Sequence, residues 1–463
     1  MTKFQWVPYP KYKDSGVEWL GEIPEHWEVK RLRFVAEINP SKIEVAQLDR
    51  RMEVSFLPME SIGEDGALQL DRARPIGEVE SGYTYFCEGD VAIAKITPCF
   101  ENGKGAIMHG LLGGIGFGTT ELIVFRPKKE KTTSEYLNRV LQSSPFRKLG
   151  ESEMYGAGGQ KRIPDVFVRN FSIAFPPLKE QISIASFLYQ ETSRIDTLIS
   201  EKERLISLLQ EYRQALISHA VTKGLDPNVK MKDSGVEWLG EIPEGWEVKR
   251  LKNLAEKIGS GKTPLGGSEI YVSDGVLFLR SQNIYDNGLR LDDAVFISPE
   301  VDNSMENTRI HSGDILMNIT GASIGRTCLV PKNFMPANVN QHVCIIRLLK
   351  SAQQAFVALV MKSHLIKSQI DLAQTGAARE GLNFDQVGNL VLAIPHEIVE
   401  CKAIASFLDQ ETSRIDTLIS EARKFIDLLK EYRSSLITAA VTGKIDVREV
   451  FHSGSKIREF AHE

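Results

Sequence analysis

The chain has 463 residues, 42% hydrophobic and 25% charged, the proportions of an ordinary globular protein of about two to four domains. No apolar run approaches the roughly 18–20 residues that span a bilayer, and residues 1–14 lack the apolar core of a secretory signal. The net charge of −5 argues against a protein that coats nucleic acid regardless of sequence, but not against a reader whose cations sit on one face.

Taken in order, the chain opens with a turn-rich box. Residues 13–32 read KDSGVEWLGEIPEHWEVKRL, with turn chemistry at Asp14-Ser15-Gly16 and Ile23-Pro24-Glu25 and anchors at Trp19 and Trp27. A variable region follows to about Pro176. Short β-type runs are expected at 54–57, 91–96, 122–125 and 171–175. A helix is expected over 134–142, with Ser134 as its cap and Pro145 just past its end. Residues 155–162 form an exposed loop, YGAGGQKR. Next comes QETSRIDTLISE at 190–201, which opens a heptad-patterned helix.

Then the order starts again. Residues 232–251 repeat the box with one change, Gly245 in place of His26. QETSRIDTLISE recurs letter for letter at 410–421, an offset of 220. The second variable region, about 247–395, predicts strands at 276–280, 315–319, 343–348 and 390–394. It also predicts a helix over 352–374, a loop at 375–382 and a helix turn capped by Asn383. Its letters differ from those of the first region, but the skeleton recurs. Gly89-Asp90 matches Gly313-Asp314, and Gly156-Ala157 matches Gly376-Ala377. The expected segments are 1–27, 28–178, 179–224, 225–246, 247–396, 397–445 and 446–463.

Each helix carries an apolar face. Alternating three- and four-residue steps select Ile195, Leu198, Leu205, Leu209, Tyr212 and Leu216, with Lys202 interrupting, and Ile415, Leu418, Ala422, Phe425, Leu429, Tyr432 and Leu436. Such a face must be buried, and the economical partner is the other copy, packed antiparallel about a pseudo-twofold axis. About 30 residues make a rod of roughly 45–50 Å. The fold class is thus α/β (α+β), with two similar globular domains separated by two long antiparallel helices in a coiled-coil spacer.

Several apparent motifs fail on inspection. Gly259-Ser-Gly-Lys-Thr263 ends like a phosphate loop, but Glu256 stands where its first glycine belongs and Pro264 spoils the following helix. Phe175-Pro176-Pro177-Leu178 lacks the Asn or Asp that an adenine-methyltransferase motif needs. Asp14 with Glu28 and Lys30, and Asp233 with Glu247 and Lys249, fit a loose nuclease spacing; a charged strand edge explains them as well. The five cysteines, Cys87, Cys99, Cys328, Cys344 and Cys401, have no zinc spacing and point to reduced thiols.

The more informative element is 313–326, GDILMNITGASIGR. It delivers Asn318 and Thr320 into a glycine turn ending on Ser323 and Arg326, with Asn340 and Gln341 before the next strand. Amides suit bidentate reading of adenine and arginine suits guanine; otherwise these are turn residues satisfying their own backbone. The expected DNA contacts are Lys95, Thr97, Lys104, Thr119, Tyr155, Gln160, Lys161 and Arg162 in the first region. In the second they are Lys262, Gln282, Asn283, Asn318, Thr320, Ser323, Arg326, Asn340, Gln341, Arg379 and Asn383. No catalytic or metal-binding residue is expected.

With these features the chain resembles the specificity subunit of type I restriction–modification systems. The resemblance is carried by the two variable regions and the helix copies, and by Pro176-Pro-Leu-Lys-Glu-Gln181, Ala185-Ser-Phe-Leu188, Glu211-Tyr-Arg-Gln-Ala-Leu216 and Ala440-Val-Thr-Gly-Lys-Ile-Asp446. The second copy departs from it at Pro395-His-Glu-Ile-Val-Glu400, which puts the start of its helix in question. The resemblance implies that each variable region is a target-recognition domain reading one half of a bipartite double-stranded DNA target. It implies that the helices set the spacing and dock two methyltransferase subunits, with two restriction subunits joining them, in the cytoplasm and without a membrane. S-adenosylmethionine, ATP and Mg²⁺ are expected on those partners and no cofactor on this chain. The rod would separate half-site centres by about 13–15 base pairs at roughly 3.4 Å each. The rival readings are a coiled-coil scaffold that binds only protein and an enzyme fusion.

Overall fold

The structure is a computed structural model that describes residues 7–157, 159–264, 266–374 and 381–448. The chain divides into two compact units, one of residues up to 202 together with those from 424 onward, the other of residues 203–423. Each unit therefore holds one variable region, the first part of the helix that follows it, and the last part of the other long helix.

The first unit is built on two four-stranded sheets. In one, Leu122–Pro127 lies between Ala36–Ile38 and Val91–Ala94, with Gly105–Ile107 beyond, all antiparallel. In the other, Glu53–Leu57 pairs parallel with Ile115–Gly118, flanked by Ala73–Pro75 and Thr84–Cys87. The second unit repeats the plan. Val343–Leu348 lies between Ala255–Ser260 and Ile315–Asn318, with Thr327–Leu329 beyond. Val276–Leu279 pairs parallel with Ala337–Val339 and antiparallel with Val295–Ile297. In both units a two-stranded ribbon joins the region's first strand to its last, Glu28–Arg31 with Ser172–Phe175 and Trp246–Arg250 with Val391–Pro395. The ends of each region are thus brought together where the long helix departs.

The shared Gly-Asp step has a structural cause. Asp90 is 1% exposed and accepts from the Arg126 guanidinium at 2.9 Å, while Cys87 N–H donates to its other oxygen at 2.8 Å. Asp314 does the same with Arg347 (2.7 and 2.8 Å) and with His311 N–H (2.7 Å). A carboxylate buried this deeply needs both partners to offset its desolvation.

Helix boundaries differ from expectation at identifiable places. Ser134–Gln142 forms, but its cap is Thr133, whose hydroxyl accepts from Tyr136 N–H. Pro145 opens a further helix, Ser144–Ser152, because proline suits a first turn. The helix expected over 352–374 is two, Gln354–Lys362 and His364–Gln374, divided at Ser363, which is extended and bonds back to the Val360 carbonyl at 2.6 Å. Ser143 makes the same bond to Val140 in the first unit.

The long helices run Leu178–Lys223 and Ile398–Val441, 46 and 44 residues, longer than the rod of about 30. They start at corresponding positions, so the altered letters at 395–400 leave the second start in place. In the first unit Ile184, Leu188 and Ile195 share a core with Leu436, Ile437, Ala440 and Val441. Arg433 donates to both Asp196 oxygens at 2.8 and 3.2 Å, and the Lys202 ammonium lies 5.5 Å from the Phe425 ring centroid. Within that unit the two helix segments therefore run antiparallel. In the second unit Ile217, Ala220 and Val221 share a core with Ile404 and Leu408, and Arg213 pairs with Asp416 at 3.0 Å.

The buried face is not the expected one. Ile195, Leu209, Leu216, Ile415, Ala422, Leu429 and Leu436 do face inward wholly or in part, and Tyr432 is half-buried. Leu198, Leu205, Tyr212, Leu418 and Phe425 are 40–56% exposed, and the inward positions between the shared heptad places are Ile199, Ile206, Ile419 and Ile426. Apolar residues stand at both candidate positions, so three-then-four and four-then-three readings score alike. Arg213 and Arg433 hide the difference further, because they sit on the seam and reach aspartates there.

Both boxes pack on the turn that ends a long helix. Trp27 and Trp246 are fully buried. Gly443, at φ +74°, lies against Pro24 and Trp27, where a Cβ would collide with the proline ring. Tyr12 donates to its carbonyl at 3.1 Å, and Asp446 N–H donates to Val7 O at 2.8 Å. Gly224, at φ +78°, takes the corresponding place beside Trp246. The one letter by which the boxes differ matters here. Trp246 Nε1 donates to Glu400 at 2.9 Å, whereas the matching Glu180 is held by the Tyr9 hydroxyl (2.5 Å) and His26 Nε2 (2.9 Å), and Trp27 Nε1 has no partner among the described residues.

All five cysteines are free. Among the described residues no helix is long and apolar enough to cross a membrane.

Candidate nucleic-acid interface

In the second unit, strands ending at Ser260, Leu279, Asn318 and Val339, and the one starting at Val343, bring their loops to one side. The loops are tied to one another. Asn318 N–H donates to Arg326 O and Gly325 N–H to Asn318 O, both at 2.9 Å. The Asn318 amide donates to Ser281 O at 2.8 Å and Ser323 Oγ at 3.0 Å. Thr320 Oγ1 lies 2.6 Å from His342 Nδ1, and Gln341 bonds both His342 Nε2 and Thr263. His342 N–H donates to Asn340 Oδ1 at 3.1 Å. The cluster gathers Lys262, Gln282, Thr320, Ser323, Arg326, Asn340 and Gln341 on connected loops, with Lys262, Gln282 and Gln341 exposed.

Three expected contacts play other parts. Asn318 is wholly buried. It braces the 281 and 323 turns from beneath, which is the backbone-satisfying role that also fits its position. Asn283 is 1% exposed; its Oδ1 accepts from Arg280 N–H and its amide donates to Arg290 O, both at 2.9 Å. Neither can reach a base edge without unfolding its turn. Asn383 is exposed but caps Phe384–Gly388, accepting from Gln386 N–H at 2.8 Å. Arg379 lies outside the described residues.

In the first unit the matching loops converge likewise. Lys95 N–H donates to Glu121 O at 2.8 Å, Ile163 N–H to Lys95 O at 3.0 Å, and Thr97 N–H to Lys161 O at 3.0 Å. The 155–162 loop is therefore stitched to the end of Val91–Ala94. Its pin is Arg162, held bidentately by Glu121 at 2.8 and 2.9 Å, and the guanidinium keeps that carboxyl below its usual range. Arg162 and Lys104, whose ammonium donates to Met59 O at 3.2 Å, are thus occupied within the fold. Thr97 donates to Glu101 at 2.8 Å, and Thr119 Oγ1 accepts from Glu121 N–H at 3.3 Å. Tyr155, Gln160 and Lys161 are exposed, and no ion pair occupies Lys95 or Lys161 among the described residues.

The suspected nuclease carboxylates sit apart from both clusters. Glu28 pairs with Lys30 at 2.9 Å and Glu247 with Lys249 at 2.7 Å, each along its own strand edge. Asp14 and Asp233 hold turns, accepting from Gly16 and Gly235 N–H.

Two copies of one fold, each with a loop cluster of its own composition, match the model of the type I restriction modification DNA specificity domain over residues 24–207 and 243–424. The chain belongs to this family. It is 29% identical over 428 residues to the type I restriction enzyme EcoAI specificity subunit of Escherichia coli, covering 76% of this chain and 72% of that one. It is 26% identical over 436 residues to the putative type I restriction enzyme MjaX specificity subunit of Methanocaldococcus jannaschii, covering 93% and 96%. A solved chain from a study of type I restriction–modification complex assembly and conformational transition shares the fold, with TM-score 0.72 at 16% identity and coverage of 91% and 99%. The HsdS subunit from Thermoanaerobacter tengcongensis also shares it, with TM-score 0.53, 16% identity and coverage of 91% and 98%.

Within this family's specificity domain, sequence reasoning missed two residues of the second cluster. The Arg290 guanidinium lies 3.8 Å and that of Arg326 4.7 Å from the centroid of the Tyr285 ring. Tyr285 and Arg290 lie on either side of the hairpin turn 286–287, where the Asp-Asn-Gly letters of 286–288 are a hairpin signal. That signal could have brought Tyr285 and Arg290 together, but not to Arg326.

Proposed function

We propose that this chain reads DNA sequence for a type I restriction–modification complex and leaves the chemistry to its partners. Each unit serves as one target-recognition domain, so the target is bipartite with an unread gap. The observation that carries this reading is the pairing of one fold in two copies with loop clusters that differ at the tips: Lys95, Tyr155, Gln160 and Lys161 in one, Lys262, Gln282, Arg326 and Gln341 in the other. Phosphate contacts would position these loops, and base contacts would select sequence.

The helices are read as the docking platform for two methyltransferase subunits, which bring S-adenosylmethionine, with restriction subunits bringing ATP and Mg²⁺ chemistry. Large apolar side chains left outside the seam support it: Leu198, Phe425 and Leu428 in the first unit, Leu205, Leu208, Tyr212 and Leu418 in the second. The complex would work in the cytoplasm.

The test is a domain exchange. Residues 28–176 are replaced by those of another specificity subunit, the chain is expressed with its methyltransferase partner, and methylated adenines are mapped across the genome. One half-site is expected to change while the other half and the gap stay. A scaffold that binds only protein predicts no sequence preference at all, and a change in both halves overturns the assignment of one unit to one half-site.

A further inference from the structure

Several structural arginines of the two units meet a carboxylate, and others, Arg147 and Arg280, donate to backbone carbonyls. Arg126 faces Asp90, Arg162 faces Glu121, Arg309 faces Asp302, Arg347 faces Asp314 and Arg433 faces Asp196, all within 3.0 Å. Arg290 and Arg326 have neither kind of partner among the described residues. Both guanidiniums lie over the Tyr285 ring, and no ion pair or side-chain hydrogen bond engages either among the described residues. The carboxylate nearest in sequence to the ring, Asp286, is occupied by Thr327 N–H at 2.9 Å and Lys367 at 3.3 Å. Asp292 and Asp293 follow Arg290 without pairing to it, and the Asp293 carbonyl is taken by Arg280.

The stack is also built rather than incidental. Thr327 N–H pins the hairpin through Asp286, and the chain at Arg290 is bonded at both its N–H and its carbonyl to Asn283. Asn283 and Asn318 are buried braces beneath it. Two like charges on one aromatic ring without an acid repel each other and gain most from a polyanion. Arginine forks held in fixed planes suit phosphate oxygens, and ordering them in advance lowers the entropic cost of binding.

We propose that Arg290 and Arg326 clamp the DNA backbone phosphates of the half-site read by the second unit, with Tyr285 as the residue that positions both guanidiniums. This rests on the DNA-reading function proposed above and names the part of the ligand that the stack takes.

The experiment measures binding of the full chain with its methyltransferase partner to the duplex identified by methylome mapping, across salt concentrations. Each lost phosphate contact lowers the slope of log K against log salt by about one. Arg290→Ala and Arg326→Ala are each expected to lower it by about one. Tyr285→Leu should lower it and Tyr285→Phe should restore it, with unchanged half-site preference throughout. Arg290→Gln, which keeps the stem, guards against loss by misfolding, and melting temperature is followed for each variant. If wild type reads its target but these variants keep its slope, the clamp is overturned and the function stands. If the slope holds and the preferred bases of the second half-site change, the arginines read bases and the phosphate assignment is overturned. If wild type shows no sequence preference, the reading and the clamp fall together.

Discussion

The reassigned helix face makes a quantitative prediction, because Ile195 and Leu198 lie within one turn of each other in the duplicated stretch. Ile195 is 5% exposed and belongs to the core with Leu436 and Ile437. Replacement by alanine removes three carbons, about 2.4 kcal/mol at roughly 0.8 kcal/mol per buried methylene. A cavity that cannot fully collapse raises this to about 3 kcal/mol. Leu198 loses the same three carbons but is 41% exposed, so water fills the space, no cavity term applies, and about 1 kcal/mol is expected. For a unit of this size 1 kcal/mol moves the melting temperature by about 2–4 °C. Ile195→Ala should therefore lower the transition of the first unit by about 6–12 °C and Leu198→Ala by about 2–4 °C. Ile415 and Leu418, 4% and 44% exposed, should repeat the contrast in the second unit. Calorimetry of the full chain resolves the two. Equal losses for Ile195→Ala and Leu198→Ala would refute the face assigned here.

Other consequences follow from the same geometry. Asp314→Ala strands the Arg347 guanidinium in a site where Asp314 was 1% exposed, and should cost about 3 kcal/mol, seen as an earlier urea midpoint; an unchanged midpoint would mean that the pair is not structural. Arg162 holds the Glu121 carboxyl below its ordinary value of 4.5. The folded form thus binds the proton less readily, so the stabilisation is complete above about 4.5 and disappears as pH falls through the lowered value. Protection of amides in the 155–162 loop should fall over that acid window and should not respond to pH in Glu121→Gln. Leu198→Asp combined with Phe425→Asp should lower the first unit's transition by only a few degrees and leave it cooperative while abolishing co-purification of the methyltransferase subunit; retained co-purification would place the docking surface elsewhere.

Much of this architecture was legible in letters because it is repeated. A duplicated box, a duplicated helix start and a matching Gly-Asp step declared two copies of one fold, and Val343–Leu348 and Ser134–Gln142 came out at their expected bounds. What escaped was decided by tertiary context. Nothing local distinguishes Leu198 from Ile199 as the inward residue. Asn318 and Asn283 carry the amides that suit base reading, yet both are consumed by neighbouring turns that meet only on folding. Arg162 has a basic residue's letter but is neutralised by Glu121, 41 residues away in sequence. Arg290 and Tyr285 were passed over because their importance lies in their distance to Arg326 across a loop, which no spacing along the chain encodes.

The division of the helices explains why QETSRIDTLISE is kept identical while the regions beside it diverge. Each unit pairs the opening half of its own helix with the closing half of the other. Asp196 therefore meets Arg433 in the first unit and the matching Asp416 meets Arg213 in the second, so each copy's opening half must fit the other copy's closing half. A substitution in one opening half is opposed by a closing half that the other copy supplies, so drift in either is penalised by a seam built from both copies. The loop clusters carry no such constraint, because both members of each brace, Asn318 with Ser281 and Glu121 with Arg162, come from a single copy of the repeat. Recognition is thus free to change in one unit at a time while the helices that join the two cannot change separately.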